Sequence, residues 1–253
     1  MWEFKRACRP PGSCFSRVPG NKKAVRGRLT PPESTGNTCP NLATCGLFYL
    51  FAYDQADNRL RGRPLLNSGT VIDAFCYAGG WGVSAALAGA ARVLCVDSSE
   101  SALAYARRNA ERNGVVGRMA FLRGDVADVL RGFTGKETPG AIVLDPPAFV
   151  KRKKDLDAGT VAYQRLNELA LALMPDGGFL ISCSCSQHVD RDDFLRLLQK
   201  ASRRAGSELR LLFEGGQSAD HPVHPAMPET RYLKALFLQV DGTDAAPGRT
   251  GSQ

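Results

Sequence analysis

The side chains most able to do chemistry fall in four places along the chain. The first is Asp73-Ala-Phe75-Cys-Tyr77-Ala-Gly79-Gly80-Trp-Gly82, an acid ahead of clustered glycines. Such glycines permit a tight turn and let a ligand approach backbone N–H groups at the start of a helix, whose positive end suits a carboxylate or phosphate. Further along, Asp97 is placed to accept both hydroxyls of a ribose, and Asp125 adds an acceptor where an adenine amino group would lie. Together these acids suggest a nucleoside cofactor; the plainer reading is that Asp97 and Asp125 only cap helices. A nicotinamide site calls for a Gly-x-Gly-x-x-Gly loop and an ATPase for Gly-Lys-Ser or Gly-Lys-Thr, and the chain has neither.

The third place is Asp145-Pro146-Pro147-Ala148-Phe149. Two prolines fix the backbone and leave its carbonyls facing out of a strand end, so that the acid or carbonyls can hold the edge of a base while the aromatic ring stacks on it. The fourth is Ser182-Cys183-Ser184-Cys185-Ser186. A cysteine thiolate beside a bound pyrimidine adds to carbon 6 and makes carbon 5 nucleophilic enough to be methylated. Alternation along a strand sends Cys183 and Cys185 to one side, so both can face a pocket; burial as small core residues is the alternative, and it fits Cys183 better. Lys151-Arg152-Lys153-Lys154 follows the base turn directly, where phosphates flanking an extruded nucleotide would pass, although such a run also suits a solvated loop. His188 and His221 are candidates for proton transfer or phosphate contact, although a lone histidine is more often structural.

For these groups to meet, they must sit at one edge of a sheet. From residue 46 onward short apolar runs alternate with amphipathic ones, the signature of βαβ units in a parallel sheet covered on both faces. The pattern predicts strands over 70–76, 92–97, 119–125, 141–145, 178–183, 209–214 and 232–240, with helices over 81–88, 99–113, 126–131, 161–173 and 191–205. In the second helix Ala102, Leu103, Ala106 and Ala110 share a face opposite Arg107, Arg108 and Glu111. The acids then lie at carboxyl ends of strands, where open parallel sheets bind ligands. Only a loop joins the last two strands, which makes them an antiparallel pair. The expected fold is α/β: a mostly parallel seven-stranded sheet with helices on both faces and an antiparallel last strand.

At 253 residues and 43% hydrophobic content the chain suits one large domain and is not disordered as a whole. Its net charge of +8 points to an acidic partner. Residues 1–50 carry eight Lys or Arg against Glu3 and Glu33, a balance of +6, which leaves 8 − 6 = +2 for the rest. Residues 1–45, rich in Pro, Gly, Ser, Thr, Asn and Arg without an apolar period, read as a disordered arm, an organelle transit peptide or an unrelated start of the coding sequence; residues 241–253 read as a disordered tail. The uncharged stretch 74–91 is broken by glycines and is no membrane span. Without a signal-peptide core the eight cysteines read as thiols, which favours the cytoplasm, and the Cys8/Cys14 and Cys39/Cys45 pairs are too widely spaced for a zinc knuckle, so no metal is expected.

Several segments carry a family likeness: Asp54-Gln-Ala-Asp-Asn58-Arg59, Phe75-Cys-Tyr-Ala-Gly79-Gly80, Val96-Asp97-Ser-Ser, Asn109-x-x-x-Asn113-Gly114, Asp145-Pro-Pro-Ala-Phe149, Ser184-Cys185-Ser186, Ala219-Asp-His-Pro222 and Tyr232-Leu-Lys234. With them the chain from 54 to 240 resembles the bacterial large-subunit (23S) ribosomal RNA cytosine-5 methyltransferases. The resemblance implies a Rossmann-like class I methyltransferase domain over 46–240. Its S-adenosylmethionine would be held by Asp73, Phe75, Tyr77, Gly79, Asp97, Ser98, Asp125, Val126 and Asp145. It further implies Cys185 as nucleophile with Asp145 in the catalytic site, substrate contacts from Pro146, Pro147, Phe149, Lys151 and Arg152, ribosomal RNA as partner, and a homodimer. That family's usual N-terminal RNA-binding domain has no counterpart in residues 1–45. A guanine-nitrogen RNA methyltransferase of the same fold with an inert Cys185, and a catalytically inactive RNA-binding protein, are the alternatives.

Overall fold

A computed structural model describes residues 53–67, 69–133 and 138–242. The arm expected over 1–45, with Cys8, Cys14, Cys39 and Cys45, lies outside the described residues, as does nearly all of the expected tail.

Seven strands form one sheet: β1 (Thr70–Ala74), β2 (Arg92–Asp97), β3 (Met119–Arg123), β4 (Pro139–Leu144), β5 (Phe179–Ser184), β6 (Glu208–Gly215) and β7 (Lys234–Asp241). Their order is β3-β2-β1-β4-β5-β7-β6. β7 alone runs antiparallel, pairing with β5 on one side and β6 on the other. Among the described residues six α-helices pack with the sheet: α1 (Ala56–Gly62), α2 (Gly80–Ala88), α3 (Glu100–Arg112), α4 (Val126–Arg131), α5 (Leu156–Leu171) and α6 (Arg191–Ala205).

The strands read as unbroken apolar runs because both their faces are covered. Ile72, Ile142, Leu180 and Leu238 point into one core with Leu130 of α4, Tyr163 and Leu166 of α5 and Phe194 and Leu198 of α6. Their neighbours Val71, Val143, Ile181 and Phe237 point into the other, with Trp81 and Val83 of α2 and Leu103 of α3. Adjacent residues thus fall in opposite cores, as the two-residue period of a strand requires.

The expected sheet and its antiparallel last strand are present, and the differences lie at element ends. Expected strand 70–76 stops at Ala74 because Phe75 turns to a positive φ of 60°. Strand 119–125 stops at Arg123, since Asp125 is the N-cap of α4, its Oδ1 accepting from the Asp128 N–H at 3.1 Å. The helix expected from residue 161 begins at Leu156, and β7 continues to Asp241, one residue into the expected tail. α1 was not expected at all: its buried residues are Asn58 and Gly62, which make no apolar stripe.

Candidate active site

The strand order reverses between β1 and β4, and the turns beyond their carboxyl ends border a cavity of about 420 Å³. That position and size suit a small-molecule site in an open α/β sheet. The wall takes Phe75, Cys76, Tyr77 and Ala78 from the turn after β1, Gly80 and Trp81 from the first turn of α2, and Asp97 and Ser98 from the end of β2. Asp145, Pro146 and Pro147 follow β4, Cys185 follows β5, Leu233 precedes β7, and Asp54, Gln55 and Arg59 come from the start of α1.

The turn after β1 is wound into left-handed backbone at two residues that are not glycine, Phe75 (φ 60°) and Tyr77 (φ 46°). Such backbone persists where surrounding bonds dictate it. Here the Cys76 N–H donates to the Val96 carbonyl at 3.0 Å, the Tyr77 N–H to Asp97 Oδ2 at 2.9 Å, and Asn109 Nδ2 to the Ala78 carbonyl at 2.9 Å. Gly79, also left-handed at φ 75°, leads into α2; a Cβ there would sit 2.9 Å from that of Ala106. The second oxygen of Asp97 accepts from the Ser99 N–H at 2.9 Å, so its carboxylate is aimed by two amides while still facing the cavity.

Asp73 lies beneath this turn with no exposed surface. Its Oδ2 accepts from the Gly82 N–H at 2.7 Å, an approach that a side chain at 82 would block, since a Cβ would meet Cys95 Sγ at 2.7 Å. Oδ1 has no partner among the described residues. Burial disfavours the charged form and raises the carboxyl to about 7.

Asp145 forms the floor. Trp81 Nε1 donates to Oδ2 at 3.1 Å and Gln55 Nε2 to Oδ1 at 3.0 Å. Gln55 is itself fixed by Asn58 Nδ2 at 2.7 Å, which also donates to the Gly216 carbonyl at 2.8 Å. Burial outweighs the two donors and raises Asp145 to about 6. Burial also pulls the Arg59 guanidinium down, against the attraction of Asp145, Asp54 and Asp73.

Cys185 is half-buried on the wall, with Sγ 3.8 Å from the Pro146 carbonyl oxygen. Burial first, then the charge of Asp145, push its thiol up. The two turns that meet here are joined by Ser186: its Oγ accepts from the Val150 N–H at 3.1 Å and lies 2.9 Å from the Tyr163 hydroxyl. Cys183, by contrast, is buried in the core cluster with Trp81 and Phe237 and does not line the cavity.

Of the residues singled out from the sequence, Phe75, Tyr77, Asp97, Ser98, Asp145, Pro146, Pro147 and Cys185 converge on the cavity. Asp73 and Gly79 lie behind its wall as described. Asp125 caps α4 and Val126 is core, both away from the lining. Phe149 packs 4.7 Å from the Tyr163 ring and 6.3 Å from Phe75, behind the turn. Lys151 and Arg152 are exposed, the latter paired with Asp155 at 3.3 Å. His221 is exposed beside Asp220, and His188 is off the cavity. Sequence reasoning missed Gln55, Arg59, Trp81 and Leu233; the first two were visible only as part of the Asp54–Arg59 motif. Among the described residues no cluster of three His, Cys, Asp or Glu side chains could hold a metal, and no helix is long and apolar enough to cross a membrane.

Residues 68–168 match the family model of the RNA cap guanine-N2 methyltransferases. The chain is 37% identical over 189 residues to the "Ribosomal RNA large subunit methyltransferase I" of Escherichia coli (strain K12), covering 74% of this chain and 48% of that protein. It thus spans about half the length of the curated relatives it matches. A methyltransferase solved in complex with SAH superposes with a TM-score of 0.64 at 22% identity, over 75% of this chain and 50% of that one. TrmN from Thermus thermophilus gives 0.51 at 22% identity, over 72% and 47%. The solved structures bear out the Rossmann-like methyltransferase fold.

The family match corrects the assignment to the cytosine-5 methyltransferase family. The matched span holds the glycine turn, Asp97, Asp125 and Asp145-Pro-Pro, and it ends before Cys185, on which the cytosine assignment leaned. The comparisons do not show the expected homodimer.

Proposed function

We propose that the chain is an S-adenosylmethionine-dependent RNA methyltransferase acting on large-subunit ribosomal RNA, and that it methylates carbon 5 of a cytosine through Cys185. The E. coli relative's name supports the substrate, and the relative solved with SAH supports the cofactor.

The residues fit that cofactor. The unpartnered Oδ1 of Asp73 and the Gly79-Gly80 turn at the start of α2 suit an amino-acid end, and Asp97, with Ser98 beside it, suits ribose hydroxyls. Phe75 and Tyr77 border the same space; Asp125 and Val126 would belong to the adenine end, beyond the cavity as lined here. Bound there, the cofactor supplies an electrophilic methyl group.

The chain's own residues do the rest. Asp145 and the carbonyl of Pro146 hold the base edge, Pro147 and Phe149 stiffen the turn beneath it, and Lys151 and Arg152 meet the flanking phosphates. The Cys185 thiolate bonds to carbon 6 of the ring, which makes carbon 5 nucleophilic; once carbon 5 carries the methyl group, its proton passes to solvent water and the carbon 6–sulfur bond breaks, returning the thiolate. The observation that carries this reading is Cys185 Sγ at the wall of the cavity formed by Asp145-Pro146-Pro147, 3.8 Å from the Pro146 carbonyl. Such a substrate implies work in the cytoplasm, where ribosomes are assembled.

A second reading is favoured by the family match: methyl transfer to guanine N2, in which Asp145 and the Pro146 carbonyl accept from the exocyclic amine and Cys185 is a bystander. Radiolabelled methyl transfer from S-adenosylmethionine to unmodified ribosomal RNA, with nucleoside analysis, separates the two. We expect label in 5-methylcytosine, lost in Cys185→Ala. Label in N2-methylguanosine that survives Cys185→Ala would replace the first reading with the second.

A further inference from the structure

Lys234 is an unusual cation in this domain. It lies in β7, in the interior of the sheet, and its ammonium donates to two backbone carbonyls, Ser186 at 2.6 Å and Tyr232 at 2.8 Å. Its backbone is paired with Ser184 in the antiparallel β5·β7 ladder. The residue between Ser184 and Ser186 is Cys185, so a single lysine is tied to the chain on both sides of that thiol. Packing alone would place an apolar residue at such a position, as Ala235, Leu236, Phe237 and Leu238 show in the following four places.

We propose that Lys234 is the positioning residue of Cys185: it fixes the turn that aims the sulfur at the Pro146 carbonyl and supplies the positive charge against which the thiolate forms. This inference rests on the assignment of Cys185 as the nucleophile. The groups around the sulfur make a counter-charge necessary. Asp145 beyond β4 and Asp54 before α1 both oppose a second negative charge, and Tyr163 of α5 and Tyr232 before β7 contribute no cation. Lys234 acts on the thiol in the opposite direction, and its own other anionic neighbour is Asp190 at the start of α6; the second cation on this wall, Arg59 of α1, faces Asp145 and Asp54. Burial holds the ammonium down to about 8, and it gains from a thiolate partner in return. Below about pH 8 the ammonium is charged and the thiolate forms against it; above that the lysine is neutral and the aid is lost.

The test uses the full chain without RNA, so that it does not depend on methyl transfer. The rate of Cys185 alkylation by iodoacetamide is followed by peptide mass mapping across pH 6–10 in the wild type, Lys234→Gln and Lys234→Met, with SAH binding measured to show that each folds. Lys234→Gln keeps hydrogen-bond donors for the two carbonyls and removes the charge, which protects the test if Lys234→Met fails to fold. The expected result is an alkylation rate at pH 7, where the ammonium is still charged, about tenfold lower in Lys234→Gln than in the wild type, as loss of a nearby opposite charge predicts, and lower in Lys234→Met wherever it folds. An equal rate at pH 7 in Lys234→Gln and the wild type overturns the proposal. If instead the rate falls but ribosomal RNA yields no 5-methylcytosine with the wild type, Lys234 keeps its role toward the thiol and it is the reading of Cys185 as nucleophile that falls.

Discussion

Asp145 carries a heavier load than its motif suggests. Two donors, Trp81 Nε1 and Gln55 Nε2, hold both its oxygens, yet burial still raises it to about 6, so it is mostly ionised at neutral pH and close to its midpoint just below. In Asp145→Asn one side-chain N–H must face one of those two donors, and the base edge loses its charged acceptor. Turnover with ribosomal RNA is expected to fall about a hundredfold, the range seen when one preorganised catalytic hydrogen-bonding group is removed; SAH affinity, read by calorimetry, should change much less. Asp73 makes the opposite kind of prediction. Its folded pKa, about 7 against an ordinary 3.8, lies above the unfolded value, so its contribution to stability is complete below about 4 and is lost as pH rises through 7. The loss is of the order of 4 kcal/mol. The melting temperature of the wild type relative to Asp73→Asn should therefore drop between pH 4 and pH 8 in thermal scans; parallel curves would show that the acid is not buried as described. Asp145 and Cys185 were legible as cavity residues because each sits in a short run of residue types suited to the carboxyl end of a strand. Gln55 and Trp81 were not, because they act through Asp145 and nothing local marks a glutamine or tryptophan that bonds a carboxylate far along the chain.

At the scale of elements, what could be read depended on which face is buried. Strands covered on both sides announce themselves as apolar runs, and all seven were found. Their ends were set by single residues that composition does not reveal: the positive φ of Phe75 ends β1, and the capping carboxylate of Asp125 ends β3. α1 stayed invisible because its inward residues, Asn58 and Gly62, serve a hydrogen-bond relay and a close approach. α2 also meets β1 and β2 closely at Gly82. Gly82→Ala would drive a methyl group to 2.7 Å from Cys95 Sγ and 3.1 Å from Asp73 Oδ2. Overpacking of that kind costs about 1–3 kcal/mol. A lowered melting temperature together with weaker SAH binding is expected, since the same helix start carries the glycine turn; unchanged binding would separate α2 from the cofactor.

Across the whole molecule, charge and chemistry are distributed differently. Residues 1–50 hold +6 of the net +8, whereas every group proposed to touch cofactor or base lies from residue 54 onward. Affinity for RNA should accordingly be salt-dependent through the basic residues of 1–45 and the Lys151–Lys154 run, and specificity should not. Removing residues 1–45 is expected to flatten the slope of log affinity against log salt, measured by fluorescence anisotropy, while the identity of the methylated nucleoside stays the same. The cavity depends on α1, the ends of β1, β2, β4 and β5, and the residue before β7, so ligand binding should tighten segments from most of the sheet at once.

The bond from Trp81 to Asp145 has an optical consequence. Indole emission responds to a charge placed against its N–H, and the chain contains only two tryptophans, Trp2 and Trp81. The protein thus carries an intrinsic reporter at the floor of its cavity. Its emission should titrate with a midpoint of about 6, the signal should vanish in Asp145→Asn, and a base docked against the same carboxyl should displace the midpoint, so that substrate capture can be watched without any label.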